Sequence, residues 1–158
     1  MKVALIMGSK SDYSKVEPAI LLLKSFNVEV SVRCFSAHRT PNELSEFVKE
    51  CNNDGTDVII GAAGMAAALP GVIASLTVLP VIGLPISGSV LDGMDAFLSI
   101  AQMPPGIPVA TVVINGSKNA AYLALEILAI KYSDIKEKLL QEREQMRLAV
   151  LKANEEIR

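Results

Sequence analysis

Tryptophan is absent from this chain, and phenylalanine and tyrosine leave it only 4% aromatic. A core without large rings has to be assembled from Ala, Val, Ile and Leu, which suits helices lying close on a parallel sheet. The same scarcity argues against a flavin carrier, whose ring needs aromatic partners to sandwich it. Only two cysteines occur, Cys34 and Cys51, and their spacing matches neither a metal site nor a CxxC pair, pointing to a reducing compartment. The single histidine, His38, has no cluster of carboxylates beside it, so no metal site is expected. A formal charge of −2 leaves no electrostatic footprint for nucleic acid or for an anionic membrane surface. No apolar stretch runs the length of a membrane span without a Gly, Pro or polar interruption. The apolar run over residues 3–7 stops at Gly8, too short for the core of a signal peptide. The expectation is a cytoplasmic protein with no membrane or nucleic-acid partner.

What is present is an alternation of short β-rich runs and longer helical patterns over 158 residues, enough for one domain with a real core. Residues 3–7 read as a buried strand. Val16, Ala19, Ile20 and Leu23 then recur at i, i+3, i+4 and i+7 on a helix that ends near Asn27, a left-handed cap. Residues 28–33 alternate as a second strand. Thr40-Pro41-Asn42-Glu43 offers an N-cap, a first-turn proline and a capping-box Glu for a helix burying Leu44, Phe47, Val48 and Cys51. A third strand is expected over 57–60, followed by a glycine loop and an Ala-rich helix, a fourth strand over 80–83 and a fifth over 109–114. Helices are expected over 91–100 and 117–131, the latter with Ala121, Ala124, Leu125 and Leu128 on one stripe. Such repeated strand–helix alternation defines an α/β fold with a central parallel sheet.

The last helix, over 133–157, differs from the others. Ile135, Leu139, Met146, Val150, Ala153 and Ile157 trace a narrow apolar seam between charges. It fits either a helix lying on its own domain or an arm on a neighbouring subunit, and the second reading makes the protein a homo-oligomer. Residues 1–158 are then one domain, with 1–131 as the α/β core and 132–158 as the arm.

In a doubly wound sheet, ligands bind beyond the carboxyl ends of the strands, at the point where strand order reverses. With the order 2-1-3-4-5, the loops after strands 1, 2 and 3 flank that crevice, and the chain's unusual residues fall there. Gly8-Ser9-Lys10-Ser11-Asp12 leads into a helix N-terminus, where backbone N–H groups and hydroxyls favour an anion. Asp12 suits a ribose diol, unless it or Ser11 simply caps the helix. Ser36-Ala37-His38-Arg39-Thr40 holds the only imidazole, the side chain that exchanges protons near neutral pH, beside a guanidinium able to fork onto phosphate. Gly61-Ala62-Ala63-Gly64 leaves room for a flat ligand to approach the backbone, or else serves close helix–sheet packing.

The strings MGSKSD, SAHRTP, LPGVIASLT and QMPPGIPVAT, each in its place between about Val3 and Leu128, resemble the N5-carboxyaminoimidazole ribonucleotide mutase family. The resemblance implies a three-layer α/β/α flavodoxin-like fold, an octamer with active sites at subunit junctions, and no metal or organic cofactor. It implies conversion of N5-carboxyaminoimidazole ribonucleotide to the 4-carboxy isomer in purine biosynthesis. Carbon dioxide leaves the carbamate, stays trapped as an intermediate, and is attacked by C4. His38 matches the family's proton carrier. By the same matching Ser9, Ser11, Ser36 and Arg39 hold the phosphate, Asp12 the ribose, and Gly64, Met65, Ala66, Ala67 and Ser87 line the ring and CO2 pocket. One departure stands out: Ala68 occupies the position of a second histidine in AAHLPG. The related class that carboxylates aminoimidazole ribonucleotide directly with CO2 often has Ala there, but tends to read AHKT and GRSN where this chain has Ala37-His38-Arg39-Thr40 and Gly64-Met65-Ala66-Ala67. That direct carboxylase is the near alternative, and a non-enzymatic flavodoxin-like nucleotide-binding module the remote one.

Overall fold

A computed structural model describes residues 1–88 and 90–157. Its elements alternate as the periodicities require: β1 (Lys2–Met7), a 3₁₀ turn (Lys10–Asp12), α1 (Tyr13–Ser25), β2 (Glu29–Cys34), α2 (Pro41–Cys51), β3 (Val58–Gly64), α3 (Leu69–Ser75), β4 (Val81–Ile86), α4 (Met94–Ala101), β5 (Ala110–Thr111), α5 (Ser117–Ala129) and α6 (Ser133–Glu156). The five strands are all parallel in the order β2-β1-β3-β4-β5. Arg158, the end of the chain beyond the expected final helix, lies outside the described residues.

Strand alternation sends side chains to two separate cores. Val3, Leu5 and Met7 of β1, Val58, Ile60 and Ala62 of β3, and Ile82, Leu84 and Ile86 of β4 pack with α1 and α5. Ala4, Ile6, Ile59, Ala63 and Val81 face the other way, toward α2, α3 and α4. The stripes expected on α1, α2 and α5 are buried residue for residue, and Asn27 takes a left-handed φ of 59°.

Several boundaries differ from the sequence expectations. β3 continues to Gly64, so 61–64 is strand rather than loop, and the turn comes at residues 65–68. Gly61 is buried in the sheet, where a Cβ would meet Pro70 and Ile73 of α3 at 3.1–3.2 Å; of its two readings, close packing is the one realised. The Ala-rich stretch is not helical until Leu69. β4 runs on through Pro85 to Ile86. A proline is tolerated there because β5 pairs with β4 only at Ile82 and Gly83 before turning away, and the Pro85 carbonyl accepts from Asn115 N–H instead (2.8 Å). β5 shrinks accordingly to two residues, and α4 begins at Met94 rather than 91. The capping box at Thr40 does not form, since its hydroxyl is engaged backward with Ser36.

Candidate active site

The carboxyl end of β1 sets the first wall. Gly8 N–H donates to the Ala62 carbonyl of β3 (3.1 Å), carrying the chain over the sheet edge. Ser9 follows in extended conformation and caps the 3₁₀ turn, its Oγ accepting from Ser11 N–H (3.3 Å) and Ser11 Oγ–H (2.9 Å). Capping therefore falls to Ser9. Asp12 precedes α1 but makes no capping hydrogen bond with its side chain, which leaves the carboxylate directed to the cleft. Burial pushes the Asp12 carboxyl above its usual range, against the opposing charge of Lys15 and hydrogen bonding to Ser11 and Ser9.

The second wall follows β2. Thr40 N–H donates to the Ser36 carbonyl (2.9 Å) while Thr40 Oγ1 accepts from Ser36 N–H (2.8 Å), closing residues 36–40 into a tight loop. Arg39 is tied in twice: its backbone N–H donates to Ser36 Oγ (3.2 Å) and its guanidinium to the Gly8 carbonyl (3.3 Å). That second bond pins the β2 loop to the β1 loop. His38 stands exposed within this turn and lines the cleft.

The third wall is the turn after β3 and the end of β4. At Gly64 a Cβ would lie 3.0 Å from the Ile86 carbonyl, tight enough that a side chain there would push the two strands apart by a few tenths of an ångström. Met65 adopts a left-handed φ of 58° and is exposed, Ala67 is buried, and Ala68 is half-buried on the cleft surface. Ser87 closes the rim, cross-bonded to Asn115 through both backbone N–H and hydroxyl.

These walls enclose a cleft of about 690 Å³ that brings together Ser9, Ser11, Asp12, Ser36, His38, Arg39, Gly64, Met65, Ala66, Ala67 and Ser87. The sequence expectation missed Lys15, which lines the same cleft from α1. The signal was its position three residues after Asp12, on the same helical face. A larger hollow of about 850 Å³ lies elsewhere, around Asn52, Thr77, Val78, Gly106 and Ile107, but no ionisable side chain lines it. It has no ionisable group to carry a proton, so the smaller cleft is the candidate active site. Among the described residues no three His, Cys, Asp or Glu side chains gather as a metal site, and no helix is long and apolar enough to cross a membrane.

A parallel sheet ordered 2-1-3-4-5, with a cleft over the carboxyl ends of β1, β2, β3 and β4 at the switch point where ligands of such sheets bind, is a flavodoxin-like α/β fold. Residues 2–149 match the family model described as AIR carboxylase, and the chain belongs to that family. The N5-carboxyaminoimidazole ribonucleotide mutase of Pyrococcus abyssi is 56% identical over 146 residues, covering 92% of this chain and 84% of that one. The mutase of the same name from Methanocaldococcus jannaschii is 53% identical over 156 residues, covering 99% and 97%. Among solved structures, PurE from Treponema denticola superposes with a TM-score of 0.91 at 28% identity, over 99% of this chain and 98% of that one.

Proposed function

We propose that this chain is an isomerase of purine biosynthesis, converting N5-carboxyaminoimidazole ribonucleotide to 4-carboxy-5-aminoimidazole ribonucleotide. The observation that carries the reading is the meeting, in one cleft, of a hydroxyl-and-guanidinium set (Ser9, Ser11, Ser36, Arg39), a carboxylate (Asp12) and the chain's only imidazole (His38). The first set suits a phosphate, since hydroxyls, backbone N–H groups at a helix start and a guanidinium all donate. Asp12 is an acceptor suited to the two ribose hydroxyls. Gly64, Met65, Ala66, Ala67 and Ser87 form a low wall on which a flat ring can lie.

The reaction moves one carboxyl group and one proton. The N–C bond of the carbamate breaks, CO2 is held in the cleft, and C4 of the ring forms the new C–C bond. C4 then loses its proton, restoring aromaticity, while the nitrogen that lost CO2 gains one. A single imidazole within reach of both atoms serves as base for the first transfer and acid for the second, so His38 returns to its starting state each turn. No metal or organic cofactor enters this balance. His38 is exposed on one chain, and a cleft that must hold CO2 needs a cover. A neighbouring subunit in a homo-octamer, reached by the α6 arm, would supply it, with residues 1–131 forming the core of each protomer and 132–158 the connecting helix. The protein then works in the cytoplasm on a soluble nucleotide.

The near alternative, direct carboxylation of aminoimidazole ribonucleotide by CO2, is raised by Ala68, which lines the cleft where a second histidine is usual in the mutases. The test supplies the carbamate substrate and, separately, aminoimidazole ribonucleotide with high bicarbonate. Turnover of the carbamate with poor use of bicarbonate is expected. Preference for bicarbonate makes the chain a carboxylase. Inactivity with both, reversed by Ala68→His, makes Ala68 a disabling residue.

A further inference from the structure

Lys15 sits in the first turn of α1, yet its ammonium does not run out into solvent. It donates to the Ser87 carbonyl at 2.6 Å, at the end of β4. Since β3 lies between β1 and β4 in the sheet, this bond ties the α1 side of the cleft to the end of β4. Ser87 is held from its far side by Asn115: its N–H donates to Oδ1 at 3.0 Å, and Nδ2 donates to its Oγ at 2.7 Å. Asn115, at a left-handed φ of 57°, is itself anchored to the Pro85 carbonyl. The β4 rim is thus clamped between α1 and the β5–α5 turn, and Lys15 is the α1 half of the clamp.

We propose that Lys15 is a positioning residue for the ribose end of the ligand, tying the first turn of α1 to Ser87 and presenting Asp12 to the ribose hydroxyls. The inference rests on the ribonucleotide reading above only for the identity of the ligand. Its electrostatic side is independent of it. Burial drives Asp12 toward its protonated form, and the charge of Lys15 is the strongest influence opposing this. The Lys15 charge favours the ionised carboxylate, the form that accepts from two hydroxyls at once. The other groups facing Asp12 are the hydroxyls of Ser9 and Ser11 on its own turn and, across the cleft, His38 and Arg39 of the β2 loop; Ser87 and Gly88 bring no charge. Arg39 is already bonded to the Gly8 carbonyl.

The experiment measures binding of 5-aminoimidazole ribonucleotide by calorimetry between pH 5.5 and 7.5, without bicarbonate, for wild type, Lys15→Met, Lys15→Arg, Asp12→Asn and the Lys15→Met/Asp12→Asn double variant. Lys15→Met is expected to weaken binding about three- to tenfold, more at the acid end, and to add less than about twofold once Asp12 is Asn, because the two act as one unit. Lys15→Arg restores most of the affinity. In turnover, KM rises in Lys15→Met while kcat holds, since the proton carrier is on another loop. An equal loss with and without Asp12, or a loss that ignores pH, overturns the proposal. If wild type binds no ribonucleotide, the functional reading fails instead. Lys15 is then judged by the Asp12 carboxyl titration in NMR, which must move to higher pH in Lys15→Met and, if it does not, rejects the coupling.

Discussion

His38 owes its place to its neighbours. The Ser36–Thr40 hydrogen bonds close the loop, Arg39 fastens it to Gly8, and the imidazole is left exposed at the cleft with little packing of its own. A substitution there should spare the fold. His38→Asn is expected to keep the wild-type unfolding midpoint while losing roughly 10²–10⁴ in kcat, the usual worth of general acid–base help. Turnover near wild type, measured as 4-carboxy product formed, would remove His38 from the reaction. Cys34 is exposed and Cys51 buried, and neither lines the cleft, so cysteine chemistry has no part in it.

Among the elements, the β3–β4 pair carries a neighbouring pair of glycines that decides how near two helices come. Gly61 and Gly83 are register partners on the same face of the sheet, Gly61 under α3 and Gly83 under α4. A Cβ on Gly83 would stand 2.3 Å from Ile100 Cγ2 and 2.9 Å from Val109 Cγ1. Ile100 is fully buried and has nowhere to retreat. Gly83→Ala is therefore expected to destabilise the fold by about 1–3 kcal/mol, as overpacking does, read as a lower urea midpoint at unchanged slope. At the α5–α6 junction the Tyr122 hydroxyl donates to Glu142 Oε2 at 2.6 Å. That hydrogen bond, with burial and the negative charge of Glu142, pushes the phenol up to about 12. A raised folded-state value stabilises the protein below the ordinary phenol range near pH 10, and the gain is lost as pH climbs toward 12. Tyr122→Phe should lower stability by about 0.5–1 kcal/mol at pH 8, modest because the pair lies near the surface, with the gap closing by pH 11.5. An identical gap at both pH values would mean the hydrogen bond is not its source.

For the molecule as a whole, α6 divides into two parts. Ile135 and Leu139 are buried against the core and Arg143 pairs with Glu126 of α5, so the first half belongs to its own domain. Residues 144–157 are exposed throughout, Val150 at 70% and Ile157 at 86%, and extend about 20 Å at the rise of a helix. The reading of a helix lying on its own domain holds for the first half; the second half is the part available to the neighbour proposed above. The exposed half has an apolar seam with no internal partner among the described residues, and the proposed neighbour gives it one. A chain ending at Arg143 is expected to retain its core fold by circular dichroism while sedimenting as a smaller species. Sedimentation unchanged from the full chain would rule out the arm as an assembly element.

Periodicity and turn chemistry, which are local, were enough to specify the parallel sheet, the buried stripes of α1, α2 and α5, the left-handed Asn27 and the loops that carry Ser9, Asp12, His38 and Arg39. Side-chain period is written directly into residue order, and a loop at a strand's carboxyl end follows from strand order. Strand length was not local. β3 extends because β1 and β4 flank it on both sides, and β4 passes Pro85 because β5 turns away. Gly61 could be assigned to packing only once α3 was in place above it. The spacing from Asp12 could put Lys15 on the cleft side of α1, but its bond to the Ser87 carbonyl, 72 residues away, is a meeting that no pattern along the chain encodes.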